Sequence, residues 1–241
     1  MFELETTYWW YVGRRIILAE TIQRYLTSPV EQTLDIGCGT GGNLSVLSRF
    51  SKKVIGLDTS PQALDYCRSR GWNTVELIQK DGRLNFADGT TDMVTLLDIL
   101  EHVADEHPLL REISRVLRPD GLLMVTVPAF QFLWSEHDVA LHHYRRYPKQ
   151  DILHLLTDEG FKIVSASYVI TFSFPLIVLY RILKGMLNFL YSGTPKTSHV
   201  RLPPMLNALF IRILAWESKL LAYFTFPFGT SILVVATKQK R

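Results

Sequence analysis

The sequence predicts a doubly wound α/β fold: a seven-stranded, mostly parallel sheet covered by helices on both faces, with a helical hairpin inserted before the last strand. Three observations carry this. Short apolar runs alternate with amphipathic segments across the first 160 residues, as strands and crossover helices do in a parallel sheet. Several of these runs end abruptly at glycines, an acid or a proline. After residue 168 the alternation gives way to two long apolar segments, and one further apolar run follows them.

Strands are expected at residues 33–36, 54–57, 74–78, 93–97, 122–127, 161–168 and 231–236, the third being the weakest. The first runs into Gly37, the second ends at Asp58, the fourth at Asp98 and the fifth at Pro128. Ser60 and Pro61 read as a helix N-cap with proline at the first helical position, and Gly71 closes that helix. Leu109, Ile113, Val116 and Leu117 form one apolar stripe before the turn at Arg118, Pro119, Asp120 and Gly121. A further helix over 148–158 stops at Gly160. Segments 174–191 and 205–223, joined by a polar loop over 192–204, make the hairpin. The chain thus divides into a cap helix (1–30), a core (31–168), a basic hydrophobic helical insertion (169–228), and the last strand and tail (229–241).

Composition narrows the class. With 47% hydrophobic and 20% charged residues in 241, the chain is not globally disordered. Two cysteines are too few for a disulfide scaffold or a cysteine-rich zinc site. No secretory signal is legible at the amino terminus, so a reduced, cytoplasmic setting is expected. The net charge of +3 conceals an asymmetry. Residues 1–160 carry 16 Lys+Arg against 22 Asp+Glu, or −6, and residues 161–241 carry 10 against 1, or +9. The lone acid of that second part is Glu217.

Residues 34–42 lead from a strand into a glycine-rich turn that opens a helix near Asn43. Glycines there permit positive φ and let a ligand approach the backbone. Gly37, Gly39 and Gly42 satisfy a GxGxxG spacing, and Asp58 follows about twenty residues on. Spacing alone leaves NAD, FAD and other adenosine cofactors open. Asp35, just before the loop, bears on the choice: a carboxylate repels a pyrophosphate but suits the ammonium and sulfonium of S-adenosylmethionine, directly or through water. The same carboxylate would serve equally to orient the loop backbone.

Taken together, residues 34–42 resemble the first motif of class I S-adenosylmethionine-dependent methyltransferases of the type 11/12-like kind. Residues 54–60 resemble the second-strand motif, whose acid, here Asp58, holds both ribose hydroxyls. Lys80, Asp81 and Gly82 resemble the acidic turn that contacts the adenine amine. Residues 91–103, ending in Glu101, His102 and Val103, resemble the fourth-strand motif, and the turn after Leu117 resembles the fifth. The resemblance spans residues 8–168. It implies a Rossmann-like fold, S-adenosyl-L-methionine as donor and S-adenosyl-L-homocysteine as product. It also implies cofactor contacts at Asp35, Gly37, Cys38, Gly39, Asp58, Thr59, Asp81, Gly82 and Leu97, several through backbone atoms. Residues 8–15 resemble an aromatic–arginine segment that closes over the cofactor. Tyr11 and its aromatic neighbours would then shield the sulfonium and Arg14 would pair with the methionine carboxylate; read as residues alone, the helix equally packs on the sheet with solvated arginines.

Methyl transfer from a sulfonium asks the protein for alignment and exclusion of water, and for a base only if the acceptor must lose a proton. The loop over 136–147 supplies candidates at the carboxyl edge of the sheet, where open α/β folds bind ligands. His143 is the first choice of base and His142 the second, with Arg145 and Arg146 available for an acidic group on the acceptor; otherwise these residues only order the loop. His102 is expected to shape the site, and no metal ligand set is legible. The expected acceptor is a small molecule or lipid-linked, methylated at oxygen, and no nucleic acid partner is expected. A nucleotide-dependent oxidoreductase and a non-catalytic membrane-associated binding module are the alternatives. Arg181, Lys184 and Asn188 form a narrow polar stripe on the first apolar segment, and neither segment is a straightforward membrane span. The hairpin either lies on an anionic membrane surface, making the protein peripheral on its inner face, or covers the sheet edge or a homodimer interface.

Overall fold

The computed structural model describes residues 4–79, 81–190 and 202–239, without side chains for 184–190. Lys80, Tyr191, most of the 192–204 loop and the side chains of Lys184 and Asn188 lie outside the described residues. In chain order the elements are α1 (Trp9–Tyr25), β1 (Val30–Ile36), α2 (Leu44–Leu47), β2 (Ser51–Asp58), α3 (Pro61–Ser69), β3 (Val75–Leu77), β4 (Thr91–Leu97) and α4 (His107–Val116). They continue with β5 (Leu117–Pro128), α5 (Glu136–Ala140), α6 (Lys149–Asp158), β6 (Phe161–Val169), α7 (Phe174–Leu190), α8 (Pro204–Leu220) and β7 (Ser231–Lys238).

The seven strands form one sheet in the order β3-β2-β1-β4-β5-β7-β6. β3, β2, β1, β4 and β5 are parallel, and β7 runs antiparallel between β5 and β6. The central strands are apolar along nearly their whole length because both faces are covered. One face packs under α4 and α6 through Leu110, Ile113, Val116, Ile152 and Leu156. The other packs under α1, α3 and α8 through Ile17, Leu18, Ile22, Leu64 and Leu214. The order reverses between β1 and β4, so the loops leaving those two strands part at the carboxyl edge and open a crevice there.

The expected seven-stranded sheet is the observed one, with local corrections, whereas among the described residues the expected hairpin is not seen as a packed pair: α8 packs chiefly on α1 and not on α7. β3 is only three residues long, since at the sheet edge Val75 alone of the three is buried. β5 begins five residues early, because Leu117 already pairs with Thr91 ahead of a turn in which Asp120 sits at φ 61. The buried stripe of α4 is Leu110, Ile113 and Val116; Leu109 is only partly covered, and Leu117 has left the helix. α8 stops at Leu220, three residues short of expectation. The loop after β5 contains α5, opened by a capping box between Ser135 and Asp138, a pattern present in the sequence. The cap of α3 is as expected: Ser60 Oγ accepts from Ala63 N at 3.3 Å, and Gly71 closes the helix at φ 86.

α8 lies across α1. At their crossing a Cβ on Gly13 would stand 2.1 Å from Leu214 Cδ1, so only glycine lets the helices approach this closely. Trp9 packs on Phe210 with ring centroids 4.9 Å apart. Asn207 accepts from Trp9 N at 2.9 Å and donates to Thr7 O at 2.8 Å. Glu217, buried on the same helix, accepts from the backbone N–H groups of Ile170, Thr171 and Phe172 at 2.5, 2.8 and 3.1 Å. These donors follow β6 where the chain turns at Ile170, φ 62, and would otherwise be unsatisfied in the core.

Candidate active site

The glycine loop leaves β1 through Gly37 at φ 73 and Gly39 at φ 54. A Cβ at Gly37 would lie 2.0 Å from Ile99 Cδ1, whereas nothing lies within 4 Å of one at Gly39, where the backbone faces open space. The loop is held by the neighbouring strand: Gly37 N and Cys38 N donate to Leu57 O at 2.7 and 3.0 Å. At the tip of β2, Asp58 accepts from Gly39 N and Ser60 N, each at 2.8 Å. A carboxylate has about four acceptor directions, so two remain for hydroxyls at this edge. Thr59 is exposed beside it. A cavity of about 710 Å³ opens along β3 and the segment after it, with Leu57, Ile78, Asp81 and Phe86 in its wall. Gly82, at φ 72, turns the chain next to Asp81. Leu97 is half-buried at the end of β4.

Asp35 lies beneath the loop, opposite Thr95 in the sheet register. Thr95 Oγ1 donates to its Oδ1 at 2.6 Å, while Oδ2 is buried without a hydrogen-bond partner. Burial raises its pKa to about 7. A cation or donor beside Asp35 would favour its ionised form. Cys38 and Cys67 are buried with their sulfurs 4.0 Å apart. Burial pushes both thiols up, which leaves them unreactive.

The amino terminus closes over the loop by a residue the sequence reading missed. Glu5 accepts from Thr40 Oγ1 at 2.6 Å and pairs with Arg70 at 2.8 Å. Tyr11 is half-buried on α1, and its hydroxyl is pushed up to about 12 by burial and then by Glu5; it stays protonated. Arg14 departs from expectation. Its guanidinium is paired with Asp98 and donates to Thr126 Oγ1 at 2.7 Å, because Asp98, at φ 57 on the tip of β4, turns its carboxylate toward α1.

The loop after β5 also differs from its sequence reading. His142 is an exposed turn residue at φ 57. His143 Nδ1 donates to Asp138 Oδ1 at 3.0 Å, leaving Nε2 as the acceptor. Arg146 Nε donates to the same carboxylate at 2.8 Å. Burial alone would raise Asp138, but the hydrogen bond from His143 and the Arg146 guanidinium hold it well below the usual carboxylate range. Arg145 is spent on Glu106 and on Ala104 O, both at 2.6 Å. Neither arginine is therefore available to an acidic acceptor, contrary to expectation. Arg181 is likewise no part of an outward polar stripe: it reaches from α7 to Leu133 O and lies 3.8 Å from Asp138. The sequence carried a signal for Asp138 in the capping box and none for Glu5 or Arg181, whose partners are distant in the chain.

Residues 34–125 match the family model described as a methyltransferase domain. A protein of Mycobacterium tuberculosis described as an S-adenosylmethionine-dependent methyltransferase is 28% identical over 162 residues, covering 66% of this chain and 58% of that protein. Residues 34–125 thus resemble the domain of S-adenosylmethionine-dependent methyltransferases. A demethylmenaquinone methyltransferase of Corynebacterium kroppenstedtii is 35% identical over 124 residues, 48% of this chain and 53% of that protein. The chain thus spans little more than half the length of these curated relatives. In structure it is similar to a Bacillus halodurans methyltransferase at TM-score 0.60 and 20% identity, covering 92% of this chain and 99% of that one.

S-adenosylmethionine fits what these residues offer. The loop is open at Gly39, Asp58 has acceptor directions to spare, the cavity reaches Asp81, and the orphan oxygen of Asp35 lacks a donor.

Proposed function

We propose that this methyltransferase moves the methyl group of S-adenosylmethionine to an oxygen of a hydrophobic acceptor that reaches the site from a membrane surface. The observation that carries this reading is a run of aromatic rings joining the acceptor side of the sheet to the insertion. Phe130, just past β5, stacks on Tyr168 at 4.8 Å and lies 5.8 Å from Phe174 at the start of α7. Phe132 and Phe228 extend the run at 5.3 Å from Phe130 and 5.6 Å from Phe174. Beyond it, Leu176, Leu179, Ile182, Met205, Leu209 and Trp216 are exposed on α7 and α8, Trp216 by 68% and Met205 by 86%. Apolar side chains exposed in this number on two neighbouring segments of the chain support an interaction site.

Charge points the same way. Glu217, the lone acid after residue 160, is buried, so the surface there keeps basic residues such as Arg212 and Lys219 without an opposing carboxylate. Among the described residues no helix is long and apolar enough to cross a membrane, which fits contact from one side. The arginines of the 136–147 loop are all but consumed internally, which favours an apolar acceptor over an anionic one.

S-adenosylmethionine supplies a methyl group on a positively charged sulfur and leaves as S-adenosylhomocysteine. Around it α1 and the Glu5 strap exclude water, the glycine loop and Asp58 fix the adenosine part, and His143 Nε2 takes the proton released by an acceptor hydroxyl. Incubation with methyl-labelled cofactor and a cell lipid extract is expected to carry label into the organic phase. Label confined to water-soluble acceptors would overturn the hydrophobic acceptor. Sedimentation of the full chain with phosphatidylcholine vesicles, with and without phosphatidylglycerol, tests the surface: stronger binding to the anionic vesicles at low salt is expected, and no binding to either would overturn membrane contact.

A further inference from the structure

The fold brings Glu101, His102 and His143 together although no ligand set was legible in the sequence. Glu101 and His102 sit on a single turn of 3₁₀ helix (Leu100–His102) after β4, and His143 follows α5. Tyr144 N donates to Glu101 O at 2.7 Å and ties the two loops. One ligand atom from each side chain lies within 4.8 Å of the others. Side chains that share one ion at about 2.0–2.2 Å stand roughly 3–4 Å apart, so small rotations of the two histidines close the set. We propose that Glu101, His102 and His143 bind one divalent transition-metal ion.

Two independent features point to a cation. Glu101 is 1% exposed, and its Oε2 is buried without a hydrogen-bond partner; among the described residues it has no ion pair. A buried carboxylate oxygen lacking a donor is costly, and a metal ion supplies what is missing. The second feature is the support behind His143. Asp138 is an acceptor only, fixed by Arg146 Nε at 2.8 Å and Ser135 N at 2.9 Å, and it takes the proton on His143 Nδ1 at 3.0 Å. The lone pair of Nε2 is thereby turned away from Asp138. A carboxylate behind a ligating imidazole is the usual way metal sites set tautomer and ring orientation. His102 and His143 meet edge to face with centroids 4.7 Å apart, so both rings are confined near a common point.

Two imidazoles and one carboxylate suit zinc, manganese, iron or cobalt better than calcium or magnesium, which favour all-oxygen sets. Three protein ligands leave at least one position for an outside oxygen. Resting on the proposed function, that position faces the acceptor oxygen: the ion would make its hydroxyl proton easier to lose to solvent, with His143 holding the ion in the loaded state and acting as the base only without it.

The binding claim is tested without cofactor or acceptor. The full chain, stripped with chelator, is titrated with Co²⁺ and followed by visible absorption and calorimetry. One saturable site with a ligand-field band is expected. Glu101→Gln, His102→Ala and His143→Ala should each weaken it, and Asp138→Asn should weaken it about 10–100-fold as a positioning residue. Binding of S-adenosylhomocysteine and the far-UV dichroism of each variant report that the fold stands; Glu101→Gln, nearly isosteric, is the variant to rely on if a histidine variant misfolds. Cys67→Ser should leave the band unchanged. Absence of saturable binding, or a band untouched by Glu101→Gln but lost in Cys67→Ser, overturns the site. Failure of methyl transfer with Co²⁺ bound would count against the acceptor reading alone.

Discussion

Among the carboxylates the molecule buries, Glu217 of the basic half and Asp35 of the acidic half are treated differently. Glu217, in the basic insertion, accepts three backbone N–H groups. Asp35, in the acidic core, has one donor in Thr95 and an oxygen with no partner. Burial raises both pKa values, and the three N–H groups offset part of that rise for Glu217. Glu217 is complete as it stands and holds α8 to the end of β6. Asp35 is incomplete and sits under the loop that faces the open crevice. A buried polar group that the fold satisfies is structural, whereas one left half-satisfied beneath a binding loop is matched to something the chain does not itself supply.

The sharpest way to break this comparison is Glu217→Ala. Three buried donors lose a charged acceptor, each such bond contributing about 1.5–3 kcal/mol, so a loss on the order of 5 kcal/mol is expected in urea unfolding. Glu217→Gln, which keeps an acceptor oxygen, should lose less. Equal stability of the Ala variant and the parent would mean that the 170–172 turn finds other partners.

Asp35 gives the next largest effect, through pH. Its folded pKa, about 7, lies above the ordinary carboxylate value, so the folded state binds the proton more tightly than the unfolded chain. Its contribution to stability is therefore full below about pH 4 and is lost as pH rises through 7, by up to about 4 kcal/mol. Asp35→Asn should flatten that slope in unfolding measured from pH 5 to 8. A cationic ligand that favours the ionised form should bind less tightly as pH falls below 7 and release a proton, visible as a calorimetric heat that depends on buffer. A pH-independent affinity for S-adenosylmethionine over this range would separate Asp35 from the ligand.

Asp58→Ala is expected to cost less stability than Glu217→Ala, since it loses two half-exposed donors in place of three buried ones, and to weaken S-adenosylhomocysteine binding about 100-fold, or ~2.7 kcal/mol. Two of its acceptor directions hold the loop and the remainder face the crevice. A large stability loss with intact affinity would place Asp58 with Glu217 as a structural group.

What was legible in the sequence follows from range. The strands, the cap at Ser60, the glycine loop and Asp58 all depend on residues close in the chain, and the pattern placed them, with the bounds of β3 and β5 corrected. The pairings that redefine the site join residues far apart: Glu5 with Thr40, Arg14 with Asp98, Arg181 with Asp138, Glu101 beside His143. No local pattern encodes these, because a carboxylate or guanidinium takes whichever partner the fold brings near. The charge count likewise says nothing of where each charge points. The +9 of residues 161–241 includes Arg181, which is turned inward, and the lone acid that offsets it is buried.

The smallest effect decides how firmly the two halves are joined. Gly13 lies at the α1–α8 crossing, where a Cβ would stand 2.1 Å from Leu214 Cδ1 and 2.9 Å from Leu214 Cβ. In an isolated helix Gly→Ala stabilises by about 1 kcal/mol. Overpacking a rigid contact costs about 1–3 kcal/mol, so a seated α8 makes Gly13→Ala net destabilising by ~1 kcal/mol. The Cβ of Leu214 belongs to the helix itself, so rotating the leucine side chain relieves only part of the clash and the rest requires α8 to move. Because α1 also carries Tyr11 and Arg14, the same substitution should disturb cofactor affinity by a few-fold. A gain in stability with unchanged affinity would mean that α8 yields at little cost and the insertion is only loosely docked on the core.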